Sequence, residues 1–85
     1  MPEIPRFYGI IVFINYREHE PPHFHARYQT QEVLVEIETG IVEGRMSKRE
    51  LRLIFEWLEL HREALMANWQ RARERRPLEK LPPLP

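Results

Sequence analysis

From Phe7 to Tyr16 apolar residues occupy both alternating positions, with Phe7, Ile11 and Phe13 on one side and Tyr8, Ile10, Val12, Ile14 and Tyr16 on the other. A strand that is apolar on both faces is covered on both, so this stretch reads as a central strand. The pair Pro21-Pro22 fixes an extended backbone and disfavours helix before it, and delivers the chain into a second strand from about His23 to Tyr28. After a short polar turn, Val33 to Glu38 alternates cleanly, with Val33, Val35 and Ile37 toward the core and Leu34, Glu36 and Glu38 away from it. Gly40 marks another turn, and Ile41 to Met46 fits a short edge strand.

The period then changes. Ser47 followed by Glu50 fits a capping box, in which the hydroxyl satisfies a free amide and the carboxylate reaches back. Leu51, Ile54, Leu58, His61, Leu65, Trp69 and Ala72 recur at helical spacing, and Leu53, Trp57, Leu60, Ala64 and Ala67 form a second row. An unbroken helix from Lys48 to Arg76 would be about 43 Å long, more than a domain of this size spans, which predicts a bend or break near His61 to Ala64 or a protruding end. Pro77 ends the helix, and Leu78 to Pro85 reads as an extended proline-rich strap. The expected fold is α+β: a three- or four-stranded antiparallel sheet over residues 1–46, one face packed by a long C-terminal helix over 47–76, and a tail at 77–85, all in one domain.

Eighty-five residues bury only about 60 to 65 % of the surface exposed by the unfolded chain, so any site is expected to be shallow. The chain has no cysteine, which leaves histidine and carboxylate as the plausible metal ligands. The first residues carry acid and proline before the apolar run rather than a basic leader, and no apolar stretch is long enough to span a bilayer. A soluble cytoplasmic protein that does not engage membranes is therefore expected. Zero formal net charge conceals an asymmetry: residues 1–44 hold three arginines against seven glutamates, and residues 45–76 hold nine basic residues against five acidic ones. Such halves attract each other or meet a charged partner.

Three of the four histidines fall within Glu18 to Tyr28. Strand alternation places His23, His25 and Arg27 on one face and Phe24, Ala26 and Tyr28 on the other. If the second and third strands pair, the histidines share their face with Glu36 and Glu38. Two registers satisfy this: His25 opposite Glu36, or His23 opposite Glu36 with Arg27 opposite Glu32. His19, His23 and His25 with Glu20 and Glu36 offer imidazole and carboxylate donors suited to zinc or another divalent ion. The alternative is a metal-free ribonuclease-like site, in which His23 and His25 divide acid and base roles and Arg27 holds the phosphate. A strand histidine facing glutamate as a simple ion pair explains the same residues without any activity.

Arg71, Arg73, Arg75 and Arg76 form the strongest basic run. Glu74 interrupts it and no aromatic platform accompanies it, so support for nucleic-acid binding is weak and a solvated helix end explains the run. The second apolar row of the helix needs a cover: a homodimer or protein partner packed on Leu53, Trp57, Leu60 and Ala64 with the arginines at its rim, or the tail folded back over it.

The opening RFYGI, the block PPHFHA, the strand VEIETG and the helix LRLIFEWLELHREALMANW, together with the basic helix end and Pro-Leu-rich tail, resemble a small bacterial family of domains of unknown function over essentially the whole chain. Members are often encoded beside a second small protein, and toxin-antitoxin-like pairs have been proposed. The resemblance implies a partner encoded nearby and supplies no catalytic residues. The expected function is a partner-binding component of a two-gene module, with a histidine-dependent ribonuclease or divalent-metal-binding enzyme as the alternative.

Overall fold

The computed structural model describes residues 3–16 and 18–85. Among these, five strands, β1 (Glu3–Phe7), β2 (Ile10–Phe13), β3 (His23–Tyr28), β4 (Gln31–Glu36) and β5 (Val42–Gly44), form one antiparallel sheet in sequence order, followed by the helix α1 (Lys48–Arg73). The fold is α+β as expected, with five strands rather than three or four. The extra strand comes from the stretch Phe7 to Tyr16, which is not one strand. Phe7 pairs with Ile10 across a two-residue loop whose residues Tyr8 and Gly9 have φ of 50° and 80°. Positive φ at both central positions is what a tight hairpin of matching twist demands, and Gly9 supplies it freely. A Cβ at Gly9 would also come within 3.2 Å of the Tyr28 ring. β1 itself is masked in the sequence by Pro5, which an edge strand tolerates because its outward amide has no partner to lose.

Sheet pairing sorts the side chains by face. Ile10, Val12, Phe24, Ala26, Val33 and Val35 face the helix and are buried, joined by Ile54, Trp57 and Leu58 from its first half. Trp57 packs against the rings of Phe7 and Phe24 at centroid distances of 5.7 and 5.8 Å. The other face carries Phe13, His25 and Leu34 in neighbouring strands, and the helix meets it at His23 through Trp69.

At 1.5 Å per residue, α1 would measure about 39 Å if straight, whereas the longest dimension of the molecule is 33 Å. The conflict is resolved at His61, whose φ of −127° and ψ of 20° interrupt the helix within the stretch where a bend is expected. Beyond the kink the helix runs past one end of the sheet: Arg62 Nε donates to the Ile37 carbonyl at 2.8 Å, Trp69 packs on His23, and Arg73 pairs with Glu20. The expected capping box is not made, and the Ser47 amide donates to Gln31 Oε1 at 3.3 Å instead of to Glu50. Ser47 is the N-cap, yet its hydroxyl meets the carboxylate of buried Glu50 and not a backbone amide.

The tail lies along α1. Asn68 clasps the Glu79 backbone in both directions, donating to its carbonyl and accepting from its amide, each at 2.9 Å. Trp57 Nε1 donates to the Pro82 carbonyl at 2.8 Å, Tyr8 hydroxyl donates to that of Pro85 at 2.7 Å, and Leu81 is buried. The tail is thus the cover that this structure shows over Trp57.

Two stability measurements follow. Phe24→Ala, which empties a fully buried position, is expected to cost about 3 to 5 kcal/mol in urea unfolding, and His25→Ala markedly less; the reverse order would contradict the face assignment. Deleting residues 78–85 removes the Leu81 burial and the tail hydrogen bonds, an expected loss of about 3 to 5 kcal/mol, and should cause self-association in sedimentation equilibrium. An equally stable, monomeric deletion would show that the tail covers nothing of consequence.

Candidate functional site

Between β2 and β3 the described residues 14–16 and 18–22 form no strand or helix and end in Glu20–Pro21–Pro22, the Glu20–Pro21 bond being cis. The Pro22 carbonyl accepts from the Ile37 amide at 3.0 Å, which seats the loop against the end of β4. Strand alternation then turns His23 and His25 toward the face away from the first half of the helix, and the loop brings Glu18 back over them.

His23 is 5 % exposed, closed in by the Trp69 ring at 4.9 Å. Its Nδ1 lies 2.8 Å from the Pro21 carbonyl. A carbonyl only accepts, so Nδ1 carries a proton, and whenever the ring is neutral its Nε2 is a lone pair. That atom is buried and has no hydrogen-bond partner among the described residues. Buried polar atoms nearly always have one. The second such atom is Trp69 Nε1, on the ring that packs against His23, so the polar deficit is concentrated at one place.

His25 lies flat on Phe13, with centroids 5.1 Å apart and planes 10° off parallel, and its Nε2 donates to Glu18 Oε1 at 2.6 Å. Glu18 also accepts from Asn15 Nδ2 at 3.0 Å, and its other oxygen is 3.7 Å from His23 Nε2. One donor atom from each of Glu18, His23 and His25 falls within 4.8 Å of the others. Two donors bound to a tetrahedral zinc at about 2.05 Å are about 3.3 Å apart, and the contacts of 2.6 and 3.7 Å bracket that spacing. His25 Nδ1 faces Glu32 Oε2 at 3.8 Å.

The site agrees with some expectations and replaces others. The register is the second alternative, with His23 opposite Glu36 and Arg27 opposite Glu32. His23 and His25 are brought together. His19 and Glu36 only line an adjoining cleft, and the Glu36 carboxylate accepts from the Thr39 hydroxyl at 3.0 Å. Glu18 supplies the carboxylate in their place. Its position lies in an irregular loop, where alternation assigns no face; its closeness in sequence to the histidines was the available signal. Glu20 turns away to Arg73. Arg27 is held by Glu32 at 2.9 and 3.2 Å and sits 5.4 Å from the Phe13 ring, so its fork is already occupied.

The residues expected to meet a partner are dispersed. Trp57 is fully buried, whereas Leu60 is 64 % exposed. Arg71 pairs with Glu79, Arg73 with Glu20 and Arg76 with Glu74, leaving Arg75 exposed at the helix end with φ of 58°.

A family model described as Domain of unknown function (DUF4160) matches residues 9–70. The chain belongs to this family. The matched span includes Glu18, His23 and His25 and the helix through Gln70, and stops before the tail. No curated protein and no solved structure matches the chain. Membership in the DUF4160 family thus brings no assigned chemistry, and the geometry of the Glu18 cluster has to carry the argument.

Burial alone would raise the pKa of Glu18. The hydrogen bonds from Asn15 and His25 and the nearby imidazoles outweigh it and hold the carboxyl below its ordinary value of 4.5. A carboxyl depressed in the folded state contributes stability above its unfolded pKa and loses that contribution as pH falls through the folded value. Urea unfolding of the chelator-treated protein should therefore weaken with falling pH through the carboxylate range, and Glu18→Gln should flatten that dependence. A parallel pH profile in the variant would mean that Glu18 contributes nothing to it.

Proposed function

We propose that this chain is a divalent-metal-binding domain for an ion of the zinc class, with His23 Nε2, His25 Nε2 and a Glu18 oxygen as ligands. The supporting observation is the buried lone pair of His23: its other nitrogen is committed to the Pro21 carbonyl, which fixes the tautomer a metal ligand needs. Glu32 stands where it would orient His25 from the far side of the ring, and is itself held by Arg27.

Two imidazoles and one carboxylate form a donor set used by catalytic zinc sites, which keep one position open; a zinc ion there would lower the pKa of bound water. The protein's own part is to hold the ligands, with Phe13 behind His25 and Trp69 against His23. Phosphoryl chemistry by the bare histidines is the weaker reading, since Arg27 is engaged by Glu32 and the adjoining cleft is acidic. As the setting of this site we propose a two-gene module with a protein partner, for which Leu60, exposed beside the helix kink, is an uncovered apolar contact.

Calorimetric titration of chelator-treated protein should show one zinc per chain. Zinc at about a hundredfold above Kd should raise Tm by about 10 °C or more. Glu18→Gln and His23→Ala should each weaken binding by about a hundredfold or more. A wild-type protein without a zinc-dependent shift, or variants that shift as much as wild type, would exclude the site.

A further inference from the structure

Beside the three ligands lies a shallow cleft of about 240 Å³ that shares Glu18 and His23 with the cluster and continues over Leu34 to Glu20, Glu36 and Glu43. Among the described residues no lysine or arginine lines it. Glu20 is neutralised by Arg73 at the rim. Among the described residues Glu36 accepts only the Thr39 hydroxyl, and Glu43 has no ion pair.

Strand pairing fixes how these groups are arranged. Leu34 lies between His25 on β3 and Glu43 on β5, on the same face, and Glu36 follows Leu34 two residues along β4, opposite His23. Glu36 and Glu43 are therefore diagonal neighbours, about 7 to 8 Å apart. The cleft thus has an apolar floor, two carboxylates at its outer end, and at its inner end the buried His23 nitrogen that lacks a partner.

We propose that the cleft binds an alkylammonium ligand of the lysine type, with its hydrocarbon stem on Leu34, its ammonium between Glu36 and Glu43, and a donor atom at its other end directed to the open position of the metal. This rests on the metal reading for the inner end, while the outer end follows from the carboxylates alone. The charge balance decides the ligand class. A divalent ion at the histidines offsets Glu18 and one further carboxylate, and with Arg73 on Glu20 the remaining lining is still negative while His19, which also lines the cleft, carries no formal charge at pH 7. A phosphate ester is repelled, and an amine is attracted and carries an apolar stem suited to the floor.

The test is a titration of the full chain, zinc-loaded and zinc-free, with 1,5-diaminopentane and separately with inorganic phosphate, followed by backbone amide shifts at low ionic strength. The diamine should saturate shifts at Leu34, Glu36 and Glu43 in both forms, and phosphate should not. Glu36→Gln combined with Glu43→Gln should weaken diamine binding about tenfold and leave zinc uptake unchanged. Glu43→Gln alone, at an exposed position, should retain the fold and weaken binding by a smaller factor. Phosphate binding tighter than the diamine, or carboxamide variants that bind the diamine like wild type, would overturn the inference while zinc uptake upheld the metal reading. A chain that takes up no zinc would overturn the metal reading and with it the donor end of the ligand, while the diamine shifts of the zinc-free form at Glu36 and Glu43 would still decide the ammonium end.

Discussion

The kink at His61 is the constraint on which the rest of the structure depends. A straight helix of this length would overshoot a domain whose longest dimension is 33 Å, and its second half would find nothing to pack against. Interrupting it at His61 lets the first half bury Ile54, Trp57 and Leu58 on the sheet, while the second half turns past the sheet end. Only then does Trp69 reach His23. The same turn brings Arg62 to the free carbonyl of Ile37 and Arg73 to Glu20, so the end of the sheet is closed by contacts of three different kinds.

Closing that end creates the site. His23 would be an ordinary exposed strand histidine without Trp69 above it. With Trp69 in place, its Nε2 is cut off from water while its Nδ1 is committed to Pro21. Leaving such an acceptor unsatisfied costs about 1 to 3 kcal/mol, a burden that a metal ion would relieve. Glu18 shows the balance from the other side. Burial disfavours its charge, and the hydrogen bonds from Asn15 and His25 together with the nearby imidazoles restore it, so a carboxylate is kept ionised over the two histidines.

Coverage of the helix follows a similar economy of surface. In 85 residues there is one sheet face for a helix with two apolar rows, and the second row must be covered by something else. The tail covers part of it, at Trp57, and leaves Leu60 exposed. It needs no secondary structure of its own, because side chains of the folded body supply the partners that its backbone lacks: Asn68, Trp57 and Tyr8 bond successive carbonyls at Glu79, Pro82 and Pro85. Proline suits this role, since a residue without an amide proton leaves fewer groups to satisfy.

The sequence by itself determined the features that depend on local periodicity. The α+β class, the bounds of β3, the inward set Val33, Val35 and Ile37, the sharing of one face by His23 and His25, and the need for a bend in the helix all follow from side-chain alternation or from rise per residue. Periodicity fails where the backbone leaves regular geometry. The hairpin at Tyr8-Gly9 hid inside an apolar run, because that run is apolar at both alternating positions and so does not show the change of phase that puts Phe7 and Ile10 on one face. Glu18 lies in a loop, where no period says which way a side chain turns, and two registers of β3 on β4 satisfied the same face assignment. Those choices were made by tertiary packing: Trp69 over His23, Pro22 against Ile37, and Glu18 drawn over the histidines by hydrogen bonds between residues that sequence spacing alone does not orient.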